Sequence, residues 1–108
     1  MIAIFSRELV YVSKLKEQFA ASGKQVKFCR SLASLEALLS AQKNKIALVV
    51  LDLSHPEIKE AFEVVHLDKT VCYAGHLEGE LFELAEKRGV MRIFSKGELA
   101  ANARLILG

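Results

Sequence analysis

Ile46-Ala-Leu-Val-Val-Leu-Asp-Leu-Ser-His-Pro56 is the stretch on which the reading of this chain turns. Seven of its first eight residues, Ile46 to Leu53, are aliphatic, several of them β-branched, and the exception is Asp52. A short continuous apolar run of this kind predicts a strand buried on both faces, as in the centre of a parallel sheet. Pro56 closes it. Sheets of this type gather their ligands just beyond the carboxyl ends of the strands, which is where Asp52 falls.

The neighbouring segments read outward from that strand. Ile2 to Phe5 predicts a short apolar strand, with Ser6 as an N-cap and a helix over 7–22 carrying Leu9, Val12, Leu15, Phe19 and Ala20 at helical spacing. Gly23 stops that helix. Gln25 to Arg30 alternates apolar and polar residues, which suits a strand nearer an edge. Ser31 or Ser34 then caps a helix bearing Leu32, Leu35, Leu38 and Leu39, with Glu36 in its first turns. Beyond Pro56 the pattern predicts a helix over 57–66 and a strand over Thr70 to Ala74, ended by Gly75. A helix over 78–88, stopped by Gly89, and a strand over Val90 to Phe94 come next. A turn at Lys96 and Gly97 leads to a last helix over 98–107. Five strands alternating with five helices, without repeats or a linker, predict a three-layer α/β domain with a parallel sheet and right-handed crossovers.

Composition narrows the function classes. The chain has 108 residues, 52% hydrophobic and 26% charged, which suits one globular domain spanning 1–108 and not a disordered chain. No apolar run approaches the roughly 18 residues of a membrane span, and the N-terminus meets Arg7 and Glu8 too early for a signal peptide. A net charge of +2, with lysines scattered among acids, gives no clustered basic face for nucleic acid. Cys29 and Cys72 fall inside predicted strands and form neither a CxxC pair nor a zinc site, so they read as small buried hydrophobes of a reducing cytoplasm. His55, His66 and His76 lack partners at metal spacing. His55, close to Asp52, reads as a loop residue, because a general base needs a substrate pocket and an oriented partner. The first strand is followed by SRELVYV, without the glycine-rich phosphate loop that a flavin or nucleotide carrier uses.

In size and element order the chain resembles the response-regulator receiver (CheY-like) domain. Two local motifs carry the resemblance: D-x-x-x-P at Asp52 to Pro56, and a lysine, Lys96, closing the apolar fifth strand at Ile93, Phe94 and Ser95. The resemblance implies a flavodoxin-like (βα)5 fold with strand order 2-1-3-4-5, Asp52 at the phosphoacceptor position and an Asp52–Lys96 ion pair. It also implies where this chain departs from the family. Ser6 and Arg7 stand where receivers hold a pair of Mg²⁺-binding acids, and Glu8 lies one residue into the helix. Ala74 replaces the hydroxyl residue ending strand four, and Ile93 takes the aromatic switch position. The segment after Asp52 is shortened, so the third helix is expected to be reduced. Arg7 either fills the metal's space and pairs with Asp52 or points to solvent.

Phosphoryl transfer to a carboxylate rests on positioning and on charge stabilisation by the metal. The resemblance therefore implies a non-catalytic pseudo-receiver, without a cofactor, that acts by contact with a protein such as a histidine kinase or an output domain. A second copy through the fourth helix, fifth strand and fifth helix is the other partner it allows. On that face we expect Leu81, Phe82, Ala85, Ile93 and Leu99. The apolar stripe of the last helix either exceeds what the core covers or packs on the sheet. The alternative is a phosphoacceptor in a two-component phosphorelay, with Glu8 and Asp52 as unconventional Mg²⁺ ligands.

Overall fold

Five parallel strands in the order β2-β1-β3-β4-β5 form the centre of the molecule in a computed structural model that describes residues 1–106. The strands are β1 (Ile2–Phe5), β2 (Val26–Cys29), β3 (Leu48–Asp52), β4 (Thr70–Ala74) and β5 (Arg92–Ser95). The helices between and after them are α1 (Leu9–Ala20), α2 (Leu32–Ala41), α3 (Ile58–Phe62), α4 (Gly79–Lys87) and α5 (Lys96–Ile106), with one 3-10 turn at Leu67–Lys69. The expected architecture and strand order are therefore those of the protein. Leu107, which the expected last helix includes, lies outside the described residues.

Every residue of β3 is buried, as its two-faced apolar run demands. Alternation along the strands then sorts the core into two layers. Ile2, Ile4, Leu48, Val50, Val71 and Tyr73 pack against Val12, Leu15 and Phe19 of α1 and Leu99 and Ala103 of α5. Ala3, Phe5, Val49, Leu51, Cys72 and Ala74 pack against α2, α3 and α4 through Leu35, Ile58, Phe62 and Ala85. Asp52 pairs with Tyr73 across β3 and β4, at the carboxyl end of the sheet.

Local chemistry explains where the element ends differ from expectation. α1 begins at Leu9 and not Arg7, because the Ser6 hydroxyl serves Asp52 and the Glu8 amide in a turn ahead of the helix. At the N-terminus of α2 both serines act: Ser31 is the cap, and its hydroxyl accepts from the Ser34 amide while Ser34 bonds back. Gly89, at φ 87°, donates to Glu86 O, and Val90 donates to Ala85 O. That pair of bonds is a Schellman cap. It consumes Val90, so β5 starts at Arg92 and not at Val90. Lys96 and Gly97 belong to the first turn of α5 and are not a separate turn. Ser95 and Glu98 form a reciprocal cap there, with the Glu98 carboxylate accepting from the Ser95 amide and the Ser95 hydroxyl accepting from the Glu98 amide. Those contacts, the amide bond first, hold the Glu98 carboxyl below the usual carboxylate range. α3 is cut to five residues, where the periodicity suggests ten.

Candidate functional site

The carboxyl end of β3 brings Asp52, Ser6 and Tyr73 together from three adjacent strands. Asp52 is 2% exposed and both of its carboxylate oxygens are occupied. The Ser6 hydroxyl donates to Oδ2 at 2.8 Å. On Oδ1 it accepts from the Ser54 amide at 2.9 Å and the Ser54 hydroxyl at 2.6 Å. The Ser6 hydroxyl in turn accepts from the Tyr73 phenol at 2.8 Å and from the Glu8 amide at 3.0 Å. A buried relay therefore runs from Tyr73 through Ser6 to Asp52, ending in a side-chain turn that starts the β3–α3 loop. Among the described residues no buried side-chain nitrogen or oxygen is left without a partner.

Lys96 does not pair with Asp52, which corrects the expectation drawn from the resemblance. Its ammonium binds the Glu8 carboxylate and lies 5.5 Å over the Tyr11 ring. Tyr11 completes the arrangement by donating its hydroxyl to the Lys96 carbonyl at 2.7 Å, so α1 grips the first residue of α5. The cause of the repartnering is the hydroxyl pair Ser6 and Ser54, which satisfies Asp52 without a cation, while Glu8 offers Lys96 a half-exposed carboxylate. With both partners partly in solvent, this ion pair contributes no more than about 1 kcal/mol. Arg7 is exposed and makes no hydrogen bond or ion pair among the described residues. Its pairing with Asp52 does not occur.

The remaining sequence candidates separate by layer. Ala74 is buried on the α2–α4 side of the sheet, away from Asp52, and pairs with Ser95. Ile93 is half-buried against that same layer. On the expected partner face Leu81 and Phe82 are half-buried. Ala85 and Leu99 are fully buried and belong to the core, so these two cannot meet a partner. The apolar stripe of α5 packs on the sheet through Leu99 and Ala103, leaving Leu105 exposed.

Three residues of the site escape a reading by motif: Tyr11, Tyr73 and Ser54. Tyr73 carried a signal, since a tyrosine in a strand buried on both faces needs a partner for its hydroxyl. His55 is also more than a loop residue. It is 4% exposed, stacks on Phe5 at 4.0 Å between ring centres, shares a 2.8 Å hydrogen bond between Nε2 and the Arg30 carbonyl, and accepts from the Glu57 amide on Nδ1. These partners require the Nε2–H tautomer.

The resemblance to receivers implies a Mg²⁺ ion beside Asp52, and the residues present do not fit one. Mg²⁺ takes oxygen ligands, usually one or two carboxylates with phosphate oxygens. Here the single central carboxylate is filled by hydroxyl and amide donors, and Glu8 is held by Lys96. Among the described residues no three acidic, histidine or cysteine side chains gather as a metal site.

Burial dominates the titration behaviour. It raises Tyr73 and Tyr11 well above the usual phenol range, with Asp52 and Glu8 adding to the effect, and it pushes the Cys72 thiol from 9.0 up to about 12. Each of these groups is neutral when protonated. Its contribution is complete below its unfolded pKa and is lost as pH rises toward the folded value. Stability is therefore expected to fall above pH 9, by up to about 1.4 kcal/mol per pH unit for each group that unfolding releases. Urea unfolding midpoints across the alkaline range check this.

The class that this fold defines is the flavodoxin-like α/β domain with strand order 2-1-3-4-5. The chain matches no protein-family model and no curated protein. Among solved structures it is similar to HP1043, an orphan response regulator of H. pylori, with a TM-score of 0.65 and 15% sequence identity. The likeness covers 100% of this chain and 97% of that one. At that identity it is a likeness of fold. No helix among the described residues is long and apolar enough to cross a membrane.

Proposed function

We propose that this protein is a pseudo-receiver: a non-catalytic signalling domain of the cytoplasm that keeps the receiver fold in one state and acts by contact with a protein partner. The observation that carries the reading is that both oxygens of Asp52 accept from Ser6 and Ser54, with Lys96 committed to Glu8. A phosphoacceptor needs an accessible carboxylate oxygen and a cation to neutralise the incoming phosphoryl group. Here a nucleophilic oxygen would first have to shed its hydroxyl donors. The alternative, in which Glu8 and Asp52 share a Mg²⁺ ion, requires Glu8 to leave Lys96. The likeness to an orphan response regulator supports a signalling role of this kind.

The partner surface we favour is the α4–β5–α5 side, through the accessible parts of Leu81, Phe82 and Ile93. A kinase, an output domain and a second copy are the partner classes. Incubation with acetyl phosphate and Mg²⁺, followed by intact mass spectrometry, tests the reading. We expect no phosphoryl adduct. An adduct that disappears in Asp52→Asn would reinstate the phosphoacceptor.

A further inference from the structure

The truncation of α3 opens the opposite end of the sheet. A helix of five residues covers the carboxyl half of β3 but stops short of its start, where Ile46 and Val49 form the floor of a groove of about 500 Å³. One wall is a single stripe of α2 and the turn after it, Glu36, Leu39, Ser40 and Lys43, at i, i+3, i+4 and i+7 spacing. The other wall comes from the α3–β4 connection and contributes Val64, His66 and Lys69. Ile46 and Val49 are buried and Leu39 is half-buried, while Val64 remains 37% exposed, so the interior is apolar. The rim is polar and carries Lys43, Lys69 and His66 against a single acid, Glu36.

From this geometry we infer that the groove is a binding site for a small amphiphilic anion, an organic carboxylate with an apolar body. Its volume lies within the few hundred to about 1,000 Å³ usual for small-ligand sites, which join an apolar lining to a few orienting polar groups. The apolar body lies on Ile46, Val49, Val64 and Leu39. The C-terminal end of α2 carries a partial negative charge that Lys43 offsets. The carboxylate therefore belongs on the Lys69 and His66 side. The site is separate from Asp52 and does not depend on the pseudo-receiver reading.

Octanoate is the probe, titrated into the full chain and followed by amide NMR, with octanol as the uncharged control. Expected are saturable shifts confined to 39–49 and 64–69, and affinity about fivefold weaker for octanol and for Lys69→Glu. Ser40→Tyr, an exposed position on the wall, fills the groove and removes the response while shifts elsewhere stay unchanged. Absence of saturable shifts, shifts centred elsewhere, or binding unaffected by Lys69→Glu would overturn the assignment.

Discussion

Asp52→Ala is expected to lower the unfolding free energy by about 3 kcal/mol, because it removes a charged acceptor from three donors and strands the buried Ser6 hydroxyl. The buried Ser6 hydroxyl loses its acceptor, so the Tyr73 phenol depends on a serine with no onward partner, while the exposed Ser54 turns to water. Asp52→Asn keeps one acceptor oxygen, and rotating hydroxyls can accept from its amide, so its cost is about half as large. Urea unfolding at neutral pH measures both, with an unchanged dependence on denaturant showing that the two-state comparison holds. The sign of the effect is informative. In a cluster of acids built to hold a metal, deleting one carboxylate relieves repulsion and stabilises the apoprotein. A more stable Asp52→Ala variant would therefore remove the basis for reading Asp52 as a satisfied structural acid.

His55→Ala is the second large effect, also about 3 kcal/mol, the sum of a lost aromatic stack, two part-buried hydrogen bonds and the space left by a buried ring. The ring does more than fill space. Through Arg30 O it ties the β3–α3 loop to the end of β2, and nearby the Glu57 carboxylate accepts from the Leu32 amide at the start of α2. The loop that carries Ser54 is thus anchored on two sides. His55→Phe retains the stack on Phe5 but leaves the Arg30 carbonyl and the Glu57 amide unpaired, so it recovers only part of the loss. Equilibrium unfolding of the two variants side by side separates stacking from hydrogen bonding. Equal stability of His55→Ala and the parent would contradict the anchoring role.

The fold was legible because its signals are periodic and local. The two-faced apolar run of β3, the glycine at 89 and the serine at 31 each act within a few residues of themselves. Boundaries slipped where one residue had two uses. Val90 reads as strand by composition but closes the α4 cap, and Ser95, beyond the expected strand, both ends β5 and caps α5 with Glu98. The S-x-x-E spacing was present in the sequence and outweighs the glycine inside it.

The site was legible only in outline. Asp52 ends β3 and Lys96 directly follows β5, as motif and register place them, but motif alone cannot choose their partners. That choice came from Ser6, Ser54 and Tyr11, whose hydroxyls compete through tertiary contacts over as many as 85 positions of chain. Ala85 and Leu99 show the same limit from the packing side. Helical spacing marks them as apolar, and only the packed helix pairs decide that they face inward.

The most direct test of a fixed, satisfied Asp52 site is amide NMR of the full chain during Mg²⁺ titration, followed by beryllofluoride as a phosphoryl mimic. The account predicts that the resonances of Ser6, Asp52, Ser54 and Lys96 stay in place, since both oxygens of Asp52 already hold serine donors and Glu8 remains on Lys96. Saturable shifts centred on those residues would contradict it and mean that the carboxylate can exchange its serine donors for a metal.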